Sequence, residues 1–305
     1  MIEIVFIYDK YIMLQQWLHS HAKKENEQWI KLYLEMPYFN EHRIKKIKKY
    51  IKNNNIEKLR KITGNNDITI KEMETILEET NKILDSFIFK INEKYTINNT
   101  QKRLEDEWNK NKEFVNNFFK EVIHEELTIK QTCHIVNPNF VRGGRSIHKD
   151  IPNSAIVGFV EEWENYNTVY LVHEMLHSIL GLAMVNHAIM QLIADNELRI
   201  RLNKYGKYFE EVGYKCLKCN IGHGLLRPFE KIIYPYFIKF IKNKDVNIKD
   251  FIETMENNKE VKKLKEVYNK MDAQSFNTIS VIMNRNPELT VEEALQKAGQ
   301  QTNSI

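Results

Sequence analysis

Residues 173–177 read His-Glu-Met-Leu-His, and this short pattern constrains the chain more than any other segment does. Residues four apart in a helix project from the same face, so His173 and His177 can direct two imidazole rings at one metal ion. Glu174 lies one step around the helix, beside the metal, where its carboxylate can take a proton from a metal-activated water. The pattern therefore predicts a metal site in which Glu174 is the general base.

The residues around this pattern predict the helix that it requires. Apolar residues recur there at helical spacing: Val169, Val172, Leu176, Ile179 and Leu180. Asn167 or Thr168 can cap the start of this helix. The competing interpretation is a core helix whose histidines are only hydrogen-bonded.

A third ligand is expected at Glu197, twenty residues after His177. If residues 188–202 form a regular helix, Glu197 falls on its apolar face, where a carboxylate is costly to bury without a partner such as a divalent cation. Asp195 points to the opposite side on the same helical wheel and is expected to be solvated. The alternative for Glu197 is an ion pair with Arg201, one turn further on.

With Asn196-Glu197 downstream, His173-Glu174-x-x-His177 resembles the gluzincin group of zinc metallopeptidases, over about residues 154–202. The resemblance implies a zincin-like core that binds Zn²⁺ through His173, His177 and Glu197 and hydrolyses a peptide or protein substrate. It also implies a strand beside the active-site helix that pairs with extended substrate, and residues 154–160 are the candidate for it; an ordinary core strand is the alternative for these residues. The chain departs from the thermolysin-like pattern at Arg201, where those enzymes usually carry an acidic residue.

Other zinc arrangements compete with this one. The metzincin pattern is excluded because Leu180 and Ala183 stand where it needs glycine and histidine. His187 is an alternative third ligand, similar to the arrangement in proteases of the SprT group, which also carry a downstream Cys-x-x-Cys zinc element. We prefer Glu197 because its burial is harder to explain otherwise.

A second zinc site is a further possibility downstream of the motif. Cys216 and Cys219 form a Cys-x-x-Cys with His223 close behind, but such a site would need a distant ligand such as Cys133 or His134. The glycine-flanked His223 is also a candidate to stabilise the oxyanion of the transition state. The residues that compete with it for that role are Tyr205, Tyr208, Tyr234 and Tyr236.

The predicted fold class is α+β and predominantly helical, with a small sheet beside the motif helix. Glycine and proline are scarce, at 10 and 6 of 305 residues, which favours helices with few sharp turns. Residues 1–130 are expected to form a helical N-terminal region, and residues 131–305 the zincin-like metallopeptidase domain. Strands are predicted at residues 131–136 and 154–160, and helices open with capping boxes at Thr69 and Thr290.

Composition places the chain among proteins of a reducing compartment, and we expect a cytoplasmic location. Three cysteines give no disulfide framework, no apolar stretch is long enough to span a membrane, and the apolar start of the chain lacks the features of a secretory signal. No membrane partner is therefore expected, and the oligomeric state stays open.

Two other functions are alternatives to peptide hydrolysis. A non-catalytic, zinc-stabilised interaction protein would keep the metal without turnover. The basic segment at residues 44–52 raises nucleic acid as a partner, which the sequence alone disfavours because a solvated helix face is commoner and the formal net charge is only +4. The intact base at Glu174 favours hydrolysis over both.

Overall fold

The computed structural model describes residues 1–21, 27–138, 144–158, 163–209, 211–214, 217–220, 222–286 and 288–302. Its contacts divide the chain into two compact units that interleave in sequence. The sheet unit comprises Glu3–Glu107 and Lys130–Val160, and the histidine unit comprises Met1–Ile2, Trp108–Ile129 and Glu161–Ile305. Residues 130–160 share a unit with the N-terminal helices, and residues 108–129 share one with the C-terminal part, so the division expected at residue 130 stays a prediction.

The sheet unit begins with strand β1 (Ile2–Tyr8) and continues as a run of helices. The helices are α1 (Lys10–His21), α2 (Gln28–Glu35), α3 (Glu41–Lys52), α4 (Ile56–Thr63), α5 (Ile70–Leu84) and α6 (Phe87–Tyr95), followed by a π-helical segment, Thr96–Gln101. Residues 53–55 separate α3 from α4, and residues 64–69 separate α4 from α5. Gly64 ends α4 with a left-handed backbone, φ +66°, as a helix C-terminus favours.

Three further strands complete a four-stranded mixed sheet: β2 (Ile129–Ile135), β3 (Gly144–Ser146) and β4 (Ser154–Val157), in the order β1-β2-β4-β3. β4 runs parallel to β2 and antiparallel to β3, with His134 opposite Ile156 in the first pair. Both predicted strands are therefore present, but β2 ends at Ile135 and β4 at Val157, so Val136 and Gly158 are not part of them. Phe159 and Val160 lie outside the described residues. β4 is an interior strand, however, so the expectation that it offers a free edge to substrate is wrong.

The core of the sheet unit forms between its helices and one face of the sheet. Val136 and Ile156 supply the sheet side of this cluster, and Ile12, Tyr33 and Phe39 are among its fully buried helical and loop residues. Helices α2 to α6 of this unit are amphipathic and α1 is buried on most of its sides, so removing their apolar residues from water is the main force that assembles them.

The histidine unit is almost entirely helical. Its helices are α7 (Lys102–Val122, which joins this unit at Trp108), α8 (Tyr166–Leu180), α9 (Met184–Gln191), a π-helical segment (Leu192–Leu198), α10 (Arg199–Asn203), α11 (Arg227–Lys242), α12 (Ile248–Asn257), α13 (Lys259–Asn269), α14 (Ala273–Arg285) and α15 (Val291–Thr302). A hairpin of β5 (Glu211–Tyr214) and β6 (Leu217–Asn220) and a 3₁₀ turn, Gly224–Leu226, lie between α10 and α11.

The predominantly helical α+β class is confirmed, as are several local predictions. Thr69 and Glu72 form the predicted capping box at the start of α5. Thr290 and Glu293 exchange the corresponding hydrogen bonds before α15, which continues to Thr302. Within the described part of the chain, none of the helices is long and apolar enough to cross a membrane.

The capping box gives a test of local stability in the sheet unit. The Thr69 hydroxyl accepts from the Glu72 backbone N–H at 3.2 Å, so Thr69→Ala leaves that donor unsatisfied. We expect the free energy of unfolding to fall by about 1 kcal/mol in urea titrations. Thr75→Ala, an exposed change in the middle of the same helix, is the matched control and should not destabilise the protein. Equal losses in both variants would contradict a capping role.

Candidate metal centre

Helix α8 carries the central motif of the candidate site and is buried along most of its length. Val172 and Leu176 are fully buried, and the polar residues His173, Glu174 and His177 are only 5–6% exposed. The helix begins at Tyr166, earlier than a cap at Asn167 or Thr168 would allow, so the predicted start is wrong. Thr168 instead accepts a hydrogen bond from the Asn111 amide on α7, which helps to hold the two helices together.

A short turn brings α9 back against α8 and places a third histidine beside the motif. Gly181 ends α8 with φ +83°, a conformation that favours glycine, and α9 begins three residues later. His187 lies on α9, with its ring centre 5.1 Å from that of His173 and 4.5 Å from that of His177. One nitrogen from each of the three rings lies within 4.8 Å of the other two, close enough for all three to bind one metal ion.

The closest approach in this cluster joins the Nε2 atoms of His173 and His187, which are 3.1 Å apart. Two nitrogen lone pairs at that distance repel each other unless a proton or a cation lies between them. Two nitrogens bound to one tetrahedral zinc at their usual bond lengths are about 3.3 Å apart. The spacing therefore fits a shared zinc ion as well as a shared proton.

Asp195 orients the first of these histidines. Its Oδ2 lies 2.8 Å from His173 Nδ1, so that nitrogen donates to the carboxylate and the opposite nitrogen, Nε2, faces His187. Although burial alone would lower the pKa of His173, the Asp195 carboxylate raises it to about 9. Burial and the neighbouring histidines lower the pKa of His187, so this ring favours the neutral form that can donate a lone pair.

The prediction that Asp195 is solvated is wrong, and the π-helical segment at Leu192–Leu198 explains why. Hydrogen bonds from residue i to i+5 add one residue to each turn, which rotates the following side chains away from their positions on a regular wheel. Asp195 consequently turns inward and is only 8% exposed. The sequence signal available for it was the apolar stretch that precedes it, Leu192-Ile193-Ala194, together with the need of a ligating histidine for an acidic partner.

The same rotation also changes the direction of the Glu197 side chain, which was preferred from the sequence as the third ligand. Its Oε1 accepts from Arg201 Nε at 2.6 Å, and its Oε2 accepts from the hydroxyl of Tyr208. This ion pair is the alternative that the sequence offered. Among the described residues, the group whose ligand atoms lie close enough to share a metal ion is His173, His177 and His187, and Glu197 is not part of it.

A fourth histidine borders the cluster. The ring of His223 is 4.8 Å from that of His187 and 6.1 Å from that of His173, and its backbone N–H donates to Gln191 Oε1. Gly222, at φ +75°, holds this turn so closely that an added Cβ would clash with Gln191. His223 is thus held near the site by its backbone, independently of its imidazole.

The structure describes only some of the remaining candidate residues. The side chains of Cys216 and Cys219 lie outside the described residues, so the second zinc site stays a prediction. Cys133 is buried in β2 of the sheet unit. Of the tyrosines considered for the oxyanion, Tyr208 donates to Glu197 and packs against Tyr234 with its ring tilted by 51° and the ring centres 4.6 Å apart.

A buried polar network supports the π-helical segment from α11. Asn196 donates to the Gln191 carbonyl at 3.0 Å and approaches Glu230, while Arg227 lies 3.2 Å from Glu230 in an ion pair that is almost fully buried. Burial raises the pKa of Glu230 to about 8, despite the opposing effect of Arg227. An ionised carboxylate at this buried position lowers the stability of the fold, and protonation or an ion pair offsets that cost.

When the chain is compared with known protein families, with curated proteins and with solved structures, no match is found. The interpretation of this site therefore depends on its own geometry and chemistry.

Glu230 gives a pH-dependent test of the network. Folded Glu230 keeps its proton up to about pH 8, whereas the unfolded side chain loses it near 4.5, so ionisation of this group makes folding less favourable as pH rises between those values. Glu230→Gln removes that dependence. We expect the free energy of unfolding of the variant, relative to that of the parent protein, to rise between pH 5 and pH 8 by at most about 1.4 kcal/mol per pH unit.

The measurement is urea unfolding at several pH values under constant metal conditions. Glu253→Gln, at an exposed position on α12, is the control, and its free energy of unfolding should change with pH as that of the parent protein does. Parallel curves for Glu230→Gln and the parent would contradict the raised pKa.

Proposed function

We propose that this protein is a zinc-dependent peptidase whose metal ligands are His173, His177 and His187. The observation that carries the proposal is the cluster of three imidazoles, two of them buried and that of His187 partly buried, with a glutamate next to the first of them on the same helix. Three protein ligands that leave one position open are typical of catalytic zinc, and imidazole is a ligand that zinc favours. Compared with the sequence-based proposal, His187 replaces Glu197.

The chemistry assigned to the chain's own residues follows from where they lie. Asp195 holds the tautomer of His173 by accepting from Nδ1, which directs the Nε2 lone pair to the metal. Bound zinc would polarise the scissile carbonyl and lower the pKa of a water molecule. Glu174 accepts a proton from the attacking water, and its carboxyl group then delivers that proton to the departing amine. A peptide or protein is the proposed substrate because the chemistry is peptide-bond hydrolysis.

A non-catalytic zinc protein is the second candidate, and His223 is the observation that favours it. Its ring lies beside His187, where a fourth imidazole would close the site to water and substrate. The two candidates share the metal ligands but differ in whether Glu174 has a chemical task, so turnover separates them.

The ligand set is tested by zinc titration of purified variants. We expect one zinc per parent chain and an affinity loss greater than about 100-fold in His187→Ala, because removing a ligand costs more than removing an outer partner. Glu197→Ala should keep the parent affinity, since that carboxylate is engaged by Arg201. Retained zinc in His187→Ala together with loss in Glu197→Ala would restore the ligand set predicted from sequence. Circular dichroism of both variants checks the fold.

The catalytic role of Glu174 is tested with Glu174→Gln, which preserves size but removes the base. We expect zinc content to be unchanged and hydrolysis of an unstructured protein substrate to fall by about 10²- to 10⁴-fold. Glu164→Gln, at an exposed position shortly before α8, is the matched control and should keep full turnover. Zinc binding without turnover in the parent protein would favour the non-catalytic candidate, and undiminished turnover in Glu174→Gln would refute the assigned base.

A further inference from the structure

The sheet unit concentrates positive charge on two neighbouring helices, α3 and α4. Residues 41–63 contain nine lysines and arginines but only two acidic residues. The whole chain has a formal net charge of +4, so everything outside this segment is net acidic. Such charge asymmetry is typical of a surface that meets a polyanion.

The lysines of α3 lie on one side of the helix. Lys45, Lys48, Lys49 and Lys52 follow the spacing i, i+3, i+4 and i+7, and all four are exposed. Ile44 and Ile47 are buried on the opposite side, at 2% and 0% exposure. The four lysines, here called the lysine stripe, extend about 10 Å along the helix axis.

Folding of the sheet unit does not account for the lysine stripe. Only Lys45 forms an ion pair, with Glu41 at 3.3 Å, and within the described residues Lys48, Lys49 and Lys52 form none. Like charges four residues apart, as in Lys45 and Lys49, destabilise a helix by a few tenths of a kcal/mol. The nearby arginines have structural tasks instead: Arg43 donates to the carbonyls of Tyr38 and Asp150, and Arg60 to that of Ile68.

The second helix adds to this charge. Lys58 and Lys61 on α4 are exposed and, among the residues that the structure describes, take part in no ion pair. α4 packs against α3, so both helices belong to one small basic region.

We propose that α3, with its lysine stripe, and α4 form a docking surface for the sugar-phosphate backbone of a nucleic acid. Lysines act as point charges towards phosphates. Each strand of a double helix carries one phosphate for about every 3.4 Å of helix axis, so a lysine stripe of this length can contact several phosphates. An anionic membrane is the less suitable partner, because interfacial helices insert apolar side chains and those of α3 are turned into the core. Contacts of this kind position the backbone without reading sequence.

The test is fluorescence anisotropy with a labelled 20-base-pair duplex of mixed sequence, titrated with full-length protein between 50 and 200 mM NaCl. Neutralising about four phosphates predicts a slope near −3.6 in a plot of log affinity against log salt, or about 100-fold weaker binding over that range. The combined change Lys45→Gln, Lys48→Gln, Lys49→Gln and Lys52→Gln should remove most of that slope. These side chains are exposed, so the fold should be retained, and circular dichroism verifies it.

A matched control carries the same change in net charge elsewhere. Lys249→Gln, Lys259→Gln, Lys263→Gln and Lys270→Gln remove four exposed lysines from the α12–α13 region, where acidic residues are interspersed. This variant should bind the duplex within about twofold of the parent. Equal weakening in both variants would assign binding to net charge and overturn the proposal. Tighter binding to phosphatidylserine vesicles than to the duplex would assign the surface to membranes, and salt-independent or absent duplex binding would also refute it.

Discussion

The need to compensate buried polar groups governs the histidine unit. Helix α8 places two imidazoles and a carboxylate in a nearly water-free interior, where each would be costly without a partner. The chain meets that cost by bringing His187 from α9 and Asp195 from the π-helical segment to the same place. These contacts form a centre at which several nitrogen atoms face one point. A metal ion is the partner that we propose for them.

The π-helical segment at Leu192–Leu198 decides which acidic side chain reaches the histidines. A regular helix would direct Asp195 outward and Glu197 inward, but the wider turn sends Asp195 to His173 and leaves Glu197 to Arg201 and Tyr208. Such segments are rare and occur often at functional sites, because their wider turn costs stability that function can justify. The buried network of Asn196 and Glu230 stabilises this departure from regular geometry.

The sheet unit differs from the histidine unit, because its concentrated charge lies on exposed side chains. Its apolar residues are sequestered in a core between helices and sheet, while the lysine stripe of α3 stays in water and only Lys45 of the four pairs with an acidic residue among those described. Exposed charge of this kind contributes little to folding, and a nucleic acid is the binding partner that we propose for it. Each unit therefore carries its own candidate function, and the two proposals stand or fall separately.

The sequence by itself determined what depends on neighbours along the chain. Periodicity predicted α8, a short apolar run predicted β4 and a similar segment predicted β2, and short-range hydrogen bonding predicted the capping boxes at Thr69 and Thr290. The pair His173 and His177 followed from helix geometry alone. Only the tertiary structure decided the third histidine, the role of Asp195 and the interior position of β4. Those depend on a turn at Gly181, a change of helical winding and strand order, which are set by packing between distant segments and leave no periodic signal in the sequence.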